Sequence, residues 1–131
     1  MSFAVVAKIA DSIYAKSIYL KKFTKNSLKR KNERIKLIVE LKNIRSSVSE
    51  IIRIIYSDRC CSENYFDLAM YMQDVIFECC FMVLFEDKEL LNIVCKKIHG
   101  FHNLPRAFLD IDNPSRISVS EAIEYFSAYL K

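Results

Sequence analysis

Apolar residues recur at intervals of three and four along the first hundred positions of the chain, which is the period of an amphipathic helix. The first such segment covers residues 3–22, and its inward face comprises Val6, Ile9, Ala10, Ile13, Ser17 and Leu20. The second covers residues 28–55, and its inward face comprises Leu28, Ile35, Ile38, Leu41, Ile44, Val48, Ile51 and Ile55. A single helix over the second segment would be about 40 Å long. We therefore expect either a bend at residues 46–49 or basic N-terminal turns that extend beyond the core.

The third segment carries the strongest helical stripe of the chain. This stripe comprises Tyr65, Leu68, Ala69, Met72, Val75, Ile76, Cys79, Cys80 and Val83. Because Phe77, Phe81 and Phe85 widen its apolar arc, we expect this helix to be the most buried one. Asp87 is placed to cap a fourth helix. Gly100 is the residue expected just past the end of that helix, where the backbone turns left-handed.

The only glycine and the two prolines of the chain, Gly100, Pro105 and Pro114, lie close together, so no strong breaker interrupts the first 99 residues. Residues 101–114 are expected to be irregular. The pattern Ser118-x-x-Glu121 is a capping box that opens a short final helix. No internal repeat or linker divides the chain. The pattern predicts an all-α, single-domain helical bundle over residues 1–131, with about four long helices and a shorter C-terminal helix.

Charge is distributed unevenly along the 131 residues, although the net charge is only +4. Residues 1–55 carry thirteen Lys and Arg against four acids, and residues 56–131 carry seven against twelve. We therefore expect a surface with sides of opposite charge. No secretory signal or membrane-spanning segment is visible, and an odd number of cysteines, five, does not suggest a disulfide framework. A reducing cytoplasm is the expected location.

A basic segment, residues 16–45, holds eleven Lys and Arg and two acids. Such a segment suits the phosphates of a nucleic acid, an anionic membrane surface or an acidic protein partner. A solvated helix face that keeps an apolar bundle in solution explains the same charges. The residues assigned to nucleic-acid binding are Lys21, Lys22, Lys25, Lys29, Arg30, Lys31 and Arg34.

Metal sites and catalytic sites have little support in the sequence. The spacing of Cys95, His99 and His102 suits three zinc ligands. Asp110 or Asp112 would supply the fourth, yet Cys95 equally suits a small apolar position in the core. A single glycine excludes a Gly-rich phosphate loop, and both histidines lie in one short region with no arginine just before them. We predict no metal, no cofactor and no enzymatic activity.

The chain contains seven Tyr and nine Phe, so aromatic side chains are a further group that could bind a protein partner. Residues 101–108 and 125–129 are the expected exposed aromatic surface, and residues 99–114 are the leading region for function outside the charged faces. We predict a non-enzymatic protein-binding domain: a small cytoplasmic inhibitor, such as a bacterial toxin-immunity protein, that occludes its partner.

The acidic face predicted to bind that partner, a toxin or nuclease domain, comprises Asp58, Glu63, Asp67, Asp74, Glu86, Asp87 and Glu89. The alternative is a helical nucleic-acid-binding protein that uses the basic segment. Self-association of the chain through the long second helix is compatible with both interpretations.

Overall fold

The computed structural model describes residues 2–58, 63–83, 87–104 and 123–124. Within these ranges the chain forms four α-helices and no strand, which confirms the predicted all-α class. The helices are α1 (Ser2–Tyr19), α2 (Lys31–Asp58), α3 (Glu63–Met82) and α4 (Lys88–Gly100). Short 3-10 turns at Leu20–Lys22, Ser27–Lys29 and Phe101–Asn103 extend or join them.

Helix α2 is the element on which its neighbours assemble. Its inner stripe is fully buried at Leu37, Leu41, Ile44, Val48 and Ile51. Helices α1 and α3 both pack against α2, and α4 packs against α3. Each fully buried aliphatic side chain of this kind stabilises the fold by about 1.5–3 kcal/mol relative to an exposed one. The core is therefore built around one long helix and not around a central cavity.

Helix α2 runs without interruption through residues 46–49, so the serines there do not end it. The phase of its first turns differs from the predicted one. Arg34 and Leu37 face inward, whereas Ile35 is 50% exposed and Ile38 is only partly buried. Residues on one side of a helix are three or four positions apart. Leu37 lies four positions before Leu41 and Arg34 lies three positions before Leu37, so both belong to the inner stripe. The predicted inward position of Ile35 was therefore wrong, whereas Ile38 packs against the core although it is only partly buried.

The polar residues between α1 and α2 form a hydrogen-bonded turn. The Thr24 amide donates to Ser27 Oγ at 2.8 Å, and the Ser27 amide donates to Thr24 Oγ1 at 3.1 Å. The Leu28 amide donates to the Thr24 carbonyl at 2.9 Å. These bonds satisfy backbone donors that two helix ends would otherwise leave unpaired. Phe23 and Leu28, which flank the turn, are fully buried and tie it to the core.

The end of α4 differs from its prediction. Gly100 has φ −82° and ψ −18°, a right-handed conformation, and the helix passes directly into the 3-10 turn Phe101–Asn103. The turn packs against α1, and Phe101 and Leu104 are fully buried. Phe101 is thus a core residue, and its predicted place on an exposed aromatic surface was wrong. Ile123 also packs against the core and Glu124 is exposed, while the remaining residues of the predicted C-terminal helix lie outside the described ranges.

The start of α4 yields a stability prediction. Asp87 Oδ1 accepts the Glu89 amide at 2.8 Å and the Leu90 amide at 3.3 Å. We expect Asp87→Ala to lower the free energy of unfolding by about 1 kcal/mol, measured by urea denaturation. Asp87→Asn keeps a capping oxygen and is expected to retain most of the stability. A loss with Asp87→Asn as large as with Asp87→Ala would show that the charge matters and not the cap.

Candidate functional site

Two phenylalanines of α3 lie on the surface. Phe77 is 57% exposed and Phe81 is 58% exposed, so the expectation that they would join the core was wrong at both positions. The buried face of α3 is already filled by Leu68, Met72, Val75, Ile76, Cys79 and Val83. Because Phe77 and Phe81 are one helical turn apart and lie on the opposite side of the helix, burying them would expose that stripe. Phe85 lies outside the described residues.

Basic side chains of α2 flank Phe77 on one side. The Arg45 guanidinium carbon lies 5.1 Å from the centroid of the Phe77 ring, within the range of a cation–π contact. Four residues further along α2, Ser49 Oγ accepts a hydrogen bond from Gln73 Nε2 at 2.8 Å. The two contacts show that α2 and α3 run antiparallel with Arg45 level with Phe77. Lys42 and Arg45 also oppose, electrostatically, the rise in the pKa of Cys80 that burial causes.

A shallow hollow adjoins this basic flank on α2 and is lined by Lys42, Arg45, Ser46, Ser49, Glu50 and Arg53. Arg53 Nη2 lies 2.5 Å from Glu50 Oε1, and this hydrogen bond holds the pKa of Glu50 below its ordinary value. Within the described part of the chain, Lys42 and Arg45 have no carboxylate partner. The hollow therefore presents uncompensated positive charge and hydroxyl groups beside an exposed aromatic ring.

Acidic side chains flank the two phenylalanines on the other side. Asp74 precedes Phe77 by three residues, and Asp67 lies two turns before Asp74, so both share the outer part of α3. Both side chains are exposed. Glu78, further round the helix, forms an ion pair with Lys97 of α4, with Nζ 2.6 Å from Oε1. We call the face that combines Lys42, Arg45, Phe77, Phe81, Asp74 and Asp67 the aromatic surface.

The structure brings only part of the predicted acidic face together. Asp74 lies about one turn from Phe77, and Asp67 lies two turns further from the phenylalanines on the same side of α3. Asp87 caps α4, and Glu89 is an exposed residue in the first turn of the same helix. The side chains of Asp58, Glu63 and Glu86 lie outside the described residues. The sequence prediction omitted Phe77 and Phe81 from the partner-binding set, because their helical phase is compatible with a wide buried arc.

The predicted basic residues concentrate in the connection between α1 and α2. Six of them are exposed, with no acidic residue between them: Lys21, Lys22, Lys25, Lys29, Arg30 and Lys31. Tyr19 is also half exposed, and Lys22 Nζ lies 3.8 Å from the centroid of its ring. We call these six cations the basic connection.

Arg34 does not belong to this exposed set. It is only 8% exposed, and its Nη1 donates hydrogen bonds to the Leu28 carbonyl at 3.0 Å and to the Lys29 carbonyl at 2.9 Å. Both carbonyls belong to the turn before α2, so the Arg34 guanidinium holds that turn against the helix. Its predicted role in nucleic-acid contact is therefore corrected to a structural one.

The residues considered for zinc are occupied with backbone contacts. His99 Nε2 donates to the Phe23 carbonyl at 2.8 Å, and His102 Nδ1 donates to the His99 carbonyl at 2.7 Å. Cys95 is buried, and burial raises the pKa of its thiol. No three His, Cys, Asp or Glu side chains in the described ranges are grouped to hold a metal ion. Asp110 and Asp112 lie outside those ranges, as do Cys60 and Cys61.

No protein-family model, curated protein or solved structure matches this chain. Among the described helices, none combines the length and the apolar character needed to cross a bilayer.

Because Arg34 is buried and hydrogen-bonded, we predict that its removal lowers stability more than removal of an exposed cation nearby. We expect Arg34→Ala to lower the free energy of unfolding by about 1–3 kcal/mol, because buried carbonyls lose a charged donor. Exposed Lys31, three residues earlier, provides the matched control, and Lys31→Ala is expected to change stability by less than about 0.5 kcal/mol. Urea denaturation of both variants measures this. Equal effects of the two substitutions would contradict the structural role.

Proposed function

We propose that the protein is a non-enzymatic protein-binding domain and that the aromatic surface is its binding site. The observation that carries the proposal is the exposure of Phe77 and Phe81, more than half each, side by side on α3. Transfer of a phenylalanine side chain out of water contributes about 1.5–3 kcal/mol. A partner that covers both rings gains this free energy, and an arginine beside them adds a residue type common at binding hot spots.

The charges around the two rings determine which partners fit. Asp67 and Asp74 on one flank attract basic groups, and Lys42 and Arg45 on the other flank attract acidic groups. A fitting partner therefore has a basic region opposite the two aspartates. Charge of this kind mainly accelerates encounter and sets orientation, while the buried aromatic groups supply most of the affinity. The partner class we favour is a toxin or nuclease domain with a basic active-site surface. The chain would act as its immunity protein, by occlusion of that surface and without chemistry of its own.

A titration of the partner tests this proposal. The candidate is the protein that co-purifies in fixed stoichiometry with the tagged chain from its native cell, and calorimetry measures its affinity. We expect Phe77→Ala combined with Phe81→Ala to weaken binding by about 100-fold, since each truncation removes over 1 kcal/mol. Ile18→Ala is the control, because Ile18 is a 43% exposed apolar residue of α1, a helix that packs against α2 and the 3-10 turn after α4.

Three outcomes contradict the proposal. The first is unchanged affinity of the double variant. The second is equal weakening by Ile18→Ala. The third is a bound partner whose own activity the chain does not inhibit, which would remove the immunity role and leave binding alone.

A second candidate function is supported by the basic connection. Six exposed cations without an intervening acid suit the phosphates of a nucleic acid, and half-exposed Tyr19 adds an aromatic ring at the edge of the same region. Binding of this kind is independent of base sequence and falls steeply with salt.

Fluorescence anisotropy of labelled RNA and DNA against salt concentration tests this second candidate. Under it, the triple variant Lys29→Glu, Arg30→Glu, Lys31→Glu loses binding, because three phosphate contacts become repulsive. A triple variant at exposed lysines elsewhere, Lys8→Glu, Lys88→Glu, Lys96→Glu, carries the closely matched change in net charge. It is expected to bind with less than a tenfold loss. Absence of wild-type binding at 50 mM salt contradicts the candidate, as does equal loss in both triple variants.

A further inference from the structure

The aromatic surface is organised as three rows that run along α3. One row is basic, with Lys42 and Arg45 contributed by α2. The middle row contains Phe77 and Phe81. The third row is acidic, with Asp74 and Asp67 on the far side of α3. Within the described residues neither Arg45 nor Asp74 has an ion-pair partner.

We propose that a second copy of this chain occupies the aromatic surface in a parallel, two-fold symmetric dimer. The argument is charge complementarity of the surface with itself. In an isologous dimer the same patch meets itself, related by a rotation of 180°. When the axis lies in the interface and parallel to α3, the rotation exchanges the two flanks. Arg45 of one copy then lies on the same side as Asp74 of the other, and the phenylalanines meet in the middle.

The alternative two-fold axis, perpendicular to α3 in the plane of the interface, gives the opposite result. It leaves each flank on its own side, so that basic residues face basic residues and acidic residues face acidic ones. Like charges opposed across an interface are unfavourable. The row pattern therefore selects the parallel arrangement, in which the two copies of α3 run in the same direction.

Positions along the helix agree with the parallel arrangement. Arg45 is level with Phe77, as their contact shows. Asp74 lies three residues earlier, a displacement of about 4.5 Å along the helix. A long arginine side chain covers such a distance. The dimer thus contains two symmetry-related pairs of Arg45 with Asp74 of the other copy, one on each side of the stacked phenylalanines.

The extent of the surface predicts a weak dimer. From Asp67 to Phe81 the helix rises about 21 Å, and two adjacent helices are about 20 Å wide. A patch of about 400 Å² per copy is about half the size of a standard interface, which suits a weak and transient contact only. We expect dissociation in the micromolar range, so that a tighter partner displaces the second copy. The regulatory consequence rests on the proposed function: dimerisation would cover the same phenylalanines that the partner binds.

Sedimentation velocity of the full chain between 1 and 500 μM tests for the dimer. We expect the wild type to shift from monomer to dimer within this range. Phe77→Ala combined with Phe81→Ala should raise the midpoint of the shift at least tenfold, while Ile18→Ala, on α1, leaves it within twofold. Circular dichroism checks that each variant keeps the helix content of the wild type.

Charge reversal tests the parallel arrangement itself. In a dimer of either Arg45→Glu or Asp74→Arg, positions 45 and 74 carry charges of the same sign at both symmetry-related contacts. Each variant alone should therefore remain monomeric at the concentration where the wild type is half dimeric. In an equal mixture of the two variants, position 45 of each chain faces an opposite charge at position 74 of the other chain, so dimers should reappear. The double variant within one chain should also dimerise. Lys8→Glu, on α1, is the matched control for a single charge reversal.

A wild type that stays monomeric at 500 μM overturns the dimer. Single variants that dimerise normally, or a mixture that stays monomeric, overturn the parallel arrangement. These results are independent of partner binding. The proposed function fails when the partner binds the phenylalanine double variant normally, whether or not the wild type dimerises.

Discussion

Burial of the inner stripe of α2 is the constraint on which the rest of the structure depends. Leu37, Leu41, Ile44, Val48 and Ile51 are inaccessible to water, and α1 and α3 both reach the core through contact with them. Hydrophobic burial is non-directional, but a helix has a fixed period, so filling one stripe sets the rotation of the whole helix. The outward positions of α2 are therefore a consequence of the core and not an independent choice.

The surface chemistry follows from that rotation. The same phase that buries Leu37 also buries Arg34 one turn earlier, and the Arg34 guanidinium then binds two carbonyls of the preceding turn. It also directs Arg45 toward Phe77 at the edge of α3. The polar pair Ser49 and Gln73 adds a directional contact that hydrophobic packing lacks, and it fixes how far α3 is displaced along α2. Charge and aromatic rings are thus held on rigid helices, a favourable arrangement for recognition with little ordering cost.

The two candidate surfaces differ in physical character. The aromatic surface combines apolar area with opposite charges on its two sides, which suits a protein whose surface carries the complementary charges. The basic connection has charge of one sign and little apolar area, which suits a polyanion. Among the described residues of the two surfaces, no three His, Cys, Asp or Glu side chains are grouped to hold a metal ion.

Local sequence determined that the chain is helical and where several helices begin. Asp87 caps α4 as its position predicts, and Thr24 and Ser27 form a polar turn, because such hydrogen bonds involve residues only two or three apart. Tertiary structure decided which side of each helix is buried. Ile35, Phe77 and Phe81 belong to apolar arcs wider than one neighbouring helix can cover, so the period allows them inside or outside. Phe101 is buried because its turn packs on α1, a helix at the start of the chain, and no local pattern carries that information.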